Sequence, residues 1–240
     1  MPQSQTITID ARPAPVIVEV SRTALIVVDM QNDFATDGGM FERAGIDISV
    51  IRAAIEPTSR LIDAARSAEI RVVYLKMGFL ADLSDAGPST SPNWQKHAFL
   101  NVGDNVTAPD GTPSRILIRD TWNTAIIDEV TPHRRDLIVW KHRFSGFFET
   151  VLHALLHAEG IDTLLFVGAT TSICVESTVR DAMYRDYHCL VIEDCVAEPI
   201  GHDLPRSNHD ASLLTLQILF GSITNSAAVN AGLAALVPTR

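Results

Sequence analysis

Short apolar runs alternate with longer amphipathic stretches along most of the chain, and this rhythm restricts the fold more than any other feature of the sequence. T-A-L-I-V-V-D at 23–29, R-V-V-Y-L-K at 71–76, D-L-I-V-W-K at 136–141, T-L-L-F-V-G at 163–168 and H-C-L-V-I-E-D at 188–194 have strand length and are rich in β-branched residues. Between and after them, 47–70, 145–160, 172–187 and 204–217 read as helices, the first broken near Pro57. A short helix is expected over 121–130 and a last short strand over 219–224. Strands separated by helices pair in parallel, because each crossover lays a helix on one face of the sheet. The expected fold class is α/β, a three-layer α/β/α parallel sheet, with 1–240 forming a single domain. Residues 77–120 interrupt the rhythm. With Gly87, Pro88, Pro92, Gly103, Pro109, Gly111 and Pro113 they read as a long loop holding one short strand at 115–119, and a loop of that length is usually functional.

Composition narrows the function. Of 240 residues, 46% are apolar and 20% charged, enough to bury a large core and too apolar for disorder or a coiled coil. Nineteen basic against 29 acidic residues leave a net charge of −10, which argues against nucleic acid and anionic membranes as partners. Three cysteines, odd in number and far apart, make no disulfide framework and point to a reducing cytoplasm. No apolar run reaches membrane-spanning length, and the first twenty residues lack the basic start and apolar run of a signal peptide. A cytoplasmic enzyme with a small-molecule substrate is the expectation.

In open parallel sheets, ligands sit beyond the carboxyl ends of the strands. The run at 23–29 ends in Asp29, that at 136–141 ends in Lys141, and that at 163–168 leads through G-A-T-T-S-I-C to Cys174 at the start of a helix. A helix N-terminus and a nearby ammonium lower a thiol pKa, so Cys174 is expected as a thiolate nucleophile. Asp29 would take the thiol proton and return it to a leaving amine, and the 168–174 turn would hold an oxyanion. Each residue also has a plainer reading. Cys174 suits packing, Lys141 a solvated strand end, and Asp29 a turn cap.

D-M-Q-N-D-F at 29–34, V-W-K-H-R-F-S-G-F-F at 139–148 and G-A-T-T-S-I-C-V-E-S-T at 168–178 resemble the isochorismatase-like cysteine hydrolases in order and spacing. The resemblance implies a Rossmann-like sheet and a catalytic triad of Asp29, Lys141 and Cys174. It also implies a non-proline cis peptide at Ala169–Thr170 and an oxyanion hole from the N–H groups of Thr170 and Cys174. True isochorismatases lack the cysteine, which disfavours vinyl-ether hydrolysis. Nicotinamidases carry an Asp-x-His metal motif where this chain reads K-M-G-F-L at 76–80, so neither metal nor cofactor is expected. His153 and His157, four apart beside Leu and Ala, read as packing rather than as ligands.

Within the family, G-P-S-T-S-P-N-W-Q-K at 87–96, K-H-R-F-S-G-F-F-E-T at 141–150 and C-V-E-S-T-V-R-D at 174–181 resemble ureidoacrylate amidohydrolases. F-G-S-I-T-N-S-A-A at 220–228 is similar to the tail of biuret hydrolases. The implied substrate is a planar ureide of the ureidoacrylate, biuret or triuret type, cleaved through a thioester with release of ammonia or carbamate. A planar, donor-rich substrate needs fixed polar partners and an aromatic wall. Phe34 is the candidate wall, and Asn93, Lys96, Arg143 and Gln217 are the candidate polar contacts. Phe144 and Phe148 are candidates to close the pocket and Trp122 to line its mouth. Glu176 and Arg180 read as an i, i+4 ion pair, Cys189 as core and Cys195 as inert. The resemblance also implies a homo-oligomer, dimer or tetramer. The alternatives are an N-carbamoyl amino acid amidase, a nicotinamidase-like amidase, and an inactive binding protein on the same fold.

Overall fold

Every residue of Thr23–Val28 is buried, as a strand covered on both faces requires. The computed structural model describes residues 5–201, 205 and 207–236. The chain runs through β1 (Thr6–Ile9), β2 (Val16–Glu19), β3 (Thr23–Val28), α1 (Asn32–Ala35), α2 (Met40–Arg43), α3 (Ser49–Ser67) and β4 (Arg71–Met77). It continues through α4 (Pro92–Ala98), β5 (Asn105–Thr107), β6 (Pro113–Arg115), β7 (Leu137–Lys141), α5 (Leu152–Ala158) and β8 (Thr163–Ala169). A π-helical turn, Thr171–Val175, leads into α6 (Glu176–Met183), followed by β9 (His188–Ala197), α7 (Asn208–Leu219), β10 (Ser222–Thr224) and α8 (Ser226–Ala234).

Six strands form the central sheet in the order β10-β9-β8-β3-β4-β7, every neighbouring pair parallel. Side chains alternate across it. Leu25 and Val27 pack with Leu61 and Ile62 of α3 and Val229 of α8 on one face. Ala24, Ile26 and Val28 pack with Leu152 of α5, Val179 of α6 and Leu216 of α7 on the other. The α/β/α expectation is met. Strand order reverses between β3 and β8, and a crevice opens beyond the carboxyl ends at such a reversal.

Several elements differ from expectation for identifiable reasons. α3 runs unbroken through Pro57, because Ile51, Ala54, Ile55, Leu61, Ile62 and Ala65 bury one face against the sheet. That burial outweighs the roughly 3 kcal/mol a helical proline costs. The long loop contains α4 and the antiparallel hairpin β5–β6. Its apolar run at 115–119 is not a strand: Leu117 has a left-handed φ of 53°, and Ile116, Leu117 and Ile118 plug the core from irregular backbone. The segment 121–130 holds two 3-10 turns instead of a helix. α5 starts only at Leu152, because Glu149 turns left-handed at φ 52°. The β1–β2 hairpin and α8 carry weak sequence signals, and they pack together where Gly232 passes Thr8 O. The expected start of α7 at Leu204 lies outside the described residues; the helix is Asn208–Leu219.

Among the described residues, no helix is long and apolar enough to cross a membrane.

One glycine sets the spacing of the two strands beside the crevice. Gly168 has φ +111°, and a Cβ there would stand 2.0 Å from Val28 O. Gly168→Ala is therefore expected to lower unfolding free energy by on the order of 3–5 kcal/mol in chemical denaturation. Gly111→Ala, also left-handed but with open space around it, should cost about 1 kcal/mol.

Candidate active site

Three strands deliver three functional groups to the crevice. Asp29 follows β3 at a left-handed φ of 50°, a region Asp enters more readily than most residues, and its N–H is held by Leu75 O at 3.0 Å. Next to it, buried Gln31 donates to Met77 O and Thr124 O and accepts from Met77 N–H, which locks the ends of β3 and β4 together. Lys141 ends β7, in register with Met77 of β4. The Ala169–Thr170 peptide after β8 is cis, in agreement with the resemblance. Thr170 O then accepts from Ile173 and Val175 N–H, the second an i→i+5 bond that makes the turn a π turn. Cys174 is the fourth residue of that turn, just ahead of the regular helix α6.

The three side chains meet. Lys141 Nζ lies 2.7 Å from Asp29 Oδ2 and 3.3 Å from Cys174 Sγ. Arg143 O at 3.3 Å and Met77 Sδ at 3.6 Å complete its surroundings. Lys141 and Asp29 are 0% and 1% exposed, so both charges are out of water and depend on each other.

Burial dominates the electrostatics. It pushes the Asp29 carboxyl up, against the lowering influence of Lys141. It pulls the Lys141 ammonium down, but Asp29 and then Cys174 outweigh it and the net direction is up. It drives the Cys174 thiol well up, and Lys141 does not reverse this. Burial thus opposes the low-pKa thiolate expected from the helix terminus and Lys141, and a site with carboxylate, ammonium and thiol carries no net charge. Moving the sulfur proton to Asp29 gives acid, ammonium and thiolate with the net charge unchanged. A buried site tolerates that exchange far better than the creation of an unpaired charge.

A cavity of about 790 Å³ opens over this cluster, lined at its floor by Asp29, Thr170 and Cys174. Phe34 lines it, and so does Lys96, which is exposed at the rim. Phe144 is in the wall. Three expected contacts point elsewhere. Asn93 spends its amide N–H on Ala86 O at 2.9 Å, tying α4 to the preceding loop. Arg143 donates to Asp85 O at 2.9 Å and covers Phe148. Gln217 sits late in α7, which packs against the π turn and β10, and it does not reach the cavity. Trp122 and Phe148 are also outside the lining. A larger depression of about 1200 Å³ lies at the other end of the strands, where Arg66 pairs with Asp136 at 2.6 Å and Arg71 with Glu159 at 2.7 Å.

The remaining titratable residues take their plain readings. Glu176 and Arg180 form an ion pair at 2.6 Å, and Arg180 lies over Phe220. His153 bonds Tyr187 OH at 2.9 Å. Cys189 and Cys195 are buried and pushed up to about 12. Among the described residues, no three His, Cys, Asp or Glu side chains are grouped to hold a metal ion.

Sequence reasoning missed His97, Phe41 and Glu198. His97 is buried in the cavity wall between Phe79 and Phe144. Its signal was its place four residues after Asn93, whose carbonyl it bonds at 2.7 Å. Phe41 stands edge-on to Phe34 at 5.1 Å. Glu198, past β9, accepts from Ser172 N–H and Oγ–H at 2.9 and 2.5 Å and so fixes the start of the π turn. No local pattern marks it.

Comparison with known proteins identifies relatives of this chain. The isochorismatase domain model matches residues 23–228. The ureidoacrylate amidohydrolase RutB of Methylorubrum extorquens is 39% identical over 95% of this chain and 89% of its own length. That of Agrobacterium fabrum is 41% identical over 89% of this chain and 91% of its own length. A cysteine hydrolase from Pseudomonas syringae pv. phaseolicola superposes with a TM-score of 0.76 at 27% identity, covering 97% of this chain and 99% of its own. The N-carbamoylsarcosine amidase of Thermoplasma acidophilum superposes with a TM-score of 0.62 at 25% identity, covering 85% and 96%. A domain match of that extent, with relatives of that identity, places the chain in the isochorismatase family of hydrolases.

Proposed function

We propose that this protein is a cysteine amidohydrolase that cleaves a C–N bond of a small ureido or carbamoyl compound through a thioester on Cys174. The observation that carries this reading is that Asp29 and Cys174 both line an open cavity and both contact buried Lys141 Nζ, at 2.7 Å from Asp29 Oδ2 and 3.3 Å from Cys174 Sγ. The ureido and carbamoyl groups in the names of the similar proteins favour that substrate class. Lys96 at the rim suits a substrate carboxylate.

The substrate carbonyl sits above Cys174, its oxygen facing the N–H groups of Thr170 and Cys174. Asp29 takes the Cys174 proton as the sulfur attacks the carbonyl carbon. Lys141 keeps its charge throughout and balances carboxylate first and thiolate next. The S–C bond forms, the C–N bond breaks, and Asp29 passes its proton to the departing nitrogen. Water then attacks the thioester and gives a proton to Asp29. The S–C bond breaks, and that proton returns to sulfur.

Cys174→Ala is expected to abolish turnover, and Asp29→Asn to keep the fold while losing at least about 10⁴-fold in kcat. Full activity of either variant in an ammonia-release assay on ureidoacrylate, biuret and N-carbamoyl amino acids would refute the assignment.

The carboxylate form of Asp29 is the base, and burial raises its pKa. Activity should therefore fall with decreasing pH along a limb that lies above the ordinary carboxylate range. Burial pushes the Cys174 thiol up, so its alkylation by iodoacetamide should be slow at pH 7 and accelerate steeply in alkali.

Lys141→Met leaves buried Asp29 without its counter-charge, to be held as a lone charge or neutralised by proton uptake, and should cost about 3–5 kcal/mol of stability at pH 7. In that variant the folded-state Asp29 pKa lies above its unfolded value, so the loss should shrink as acid protonates Asp29. A deficit that stays constant on acidification would contradict the ion-pair account.

A further inference from the structure

The mechanism uses one end of the cavity only. Away from Asp29, Thr170 and Cys174, the wall is built from Phe34, Phe41, Leu117, Phe144, Ile173 and Ile200. Phe34 and Phe41 meet edge to face at 5.1 Å and 79°, and Phe144 stacks on His97 at 5.5 Å. The polar residues Lys96 and Asp47 are exposed at the rim. Among the described residues, His97 is the one buried polar side chain on this wall.

The surroundings of His97 determine its tautomer. Asn93 O lies 2.7 Å from Nδ1, and a carbonyl only accepts, so Nδ1 carries a hydrogen. Burial first, then the charges of Lys141 and Arg143, oppose a second proton on the ring, against the favourable Asn93 bond. Nε2 therefore offers a lone pair, and no described residue donates to it.

Size and polarity point the same way. A cavity of about 790 Å³ is in the range, roughly 300–1,000 Å³, of sites that enclose drug-sized ligands. A bare ureide fills a fraction of it. Beyond the Thr170–Cys174 end, its further N–H and C=O groups would lose water against the Phe and Ile wall, where His97 is the one buried polar partner among the described residues. A flat apolar body instead gains by leaving water there.

We propose that the preferred substrate is an amide or ureide whose reacting carbonyl is attached to a flat apolar body larger than an acrylate, with one N–H donating to His97 Nε2. This deepens the amidohydrolase reading and rests on it.

Acetylurea and benzoylurea share one reacting unit and differ in the body. Loss of each compound should proceed with kcat/KM at least tenfold higher for benzoylurea, most of the gain in KM. In calorimetry, benzoylurea should bind the Cys174→Ser protein at least tenfold more tightly than acetylurea. Phe144→Ser should shrink the benzoyl-to-acetyl ratio several-fold. His97→Phe keeps the ring packed against Phe79 and Phe144 but removes the acceptor, so it should raise KM for both compounds about tenfold, and His97→Gln should restore part of that loss.

Equal or better turnover of acetylurea overturns the apolar-body assignment while leaving the amidohydrolase reading intact. Wild-type KM in His97→Phe overturns the role of His97. Tight, selective binding of benzoylurea with no turnover of any amide or ureide refutes the thioester chemistry and leaves the cavity assignment standing. Binding without preference overturns the cavity assignment.

Discussion

An ammonium group held out of water at the end of β7 is the constraint around which the site is organised. Lys141 cannot carry its charge there unless a counter-charge is within contact, and Asp29 Oδ2 supplies it at 2.7 Å. Once that pair exists, a thiol at 3.3 Å from the same nitrogen has somewhere to send its proton without changing the total charge. Neither half of the arrangement is sensible alone. A buried Asp29 without Lys141 would take up a proton and cease to be a base, and a buried Cys174 without both would be an inert core thiol, as Cys189 and Cys195 are.

The sheet holds this triangle by backbone contacts more than by side chains. β3 and β8 adjoin at the strand-order reversal, so Asp29 and the Cys174 turn face each other across the crevice. Gly168 lets the two strands approach beside the Val28 carbonyl, one residue before Asp29. β4 spaces β7 from β3, and Gln31 pins its end to the segment that carries Asp29. Glu198 reaches from β9 to hold the start of the π turn. Five strands thus contribute to a site whose carboxylate, ammonium and thiol come from three.

The parts of this that were legible in the sequence share a physical basis. Buried parallel strands must be apolar throughout, so 23–28, 71–77 and 163–169 stand out, and the residue that ends each run falls on the ligand edge. Asp29 and Lys141 were readable because they end their apolar runs, and Cys174 because the turn after β8 leads to it, while the resemblance joined the three into one expected triad. Asn93, Arg143 and Gln217 were chosen by residue type and approximate position, and side-chain direction does not follow from either. Asn93 faces Ala86 and Arg143 faces Asp85 because the irregular segment 78–91 has backbone carbonyls to satisfy, a demand with no periodic signature. The same loop hid His97, whose role depends on a helix of seven residues inside a stretch dominated by Gly and Pro. Leu117 shows the limit most clearly: an apolar run that looks like a strand turns left-handed in its middle to close the core under the cavity.

Burial that raises the Cys174 thiol bears on the chemistry proposed for it. A standing thiolate would react with any electrophile that entered the cavity, whereas burial opposes the thiolate and, in the proposed mechanism, ties attack to proton transfer to Asp29. That transfer is favourable only if something replaces the solvation the thiolate lacks. Lys141 already provides a fixed positive charge at 3.3 Å. What remains is the exclusion of water from the cavity, and a substrate body that fills the Phe34–Phe41–Phe144 wall would accomplish it. On this view the apolar half of the cavity and the charged floor act together: the first sets the dielectric in which the second works, and selectivity for the body of the substrate becomes selectivity for the proton transfer that begins the reaction.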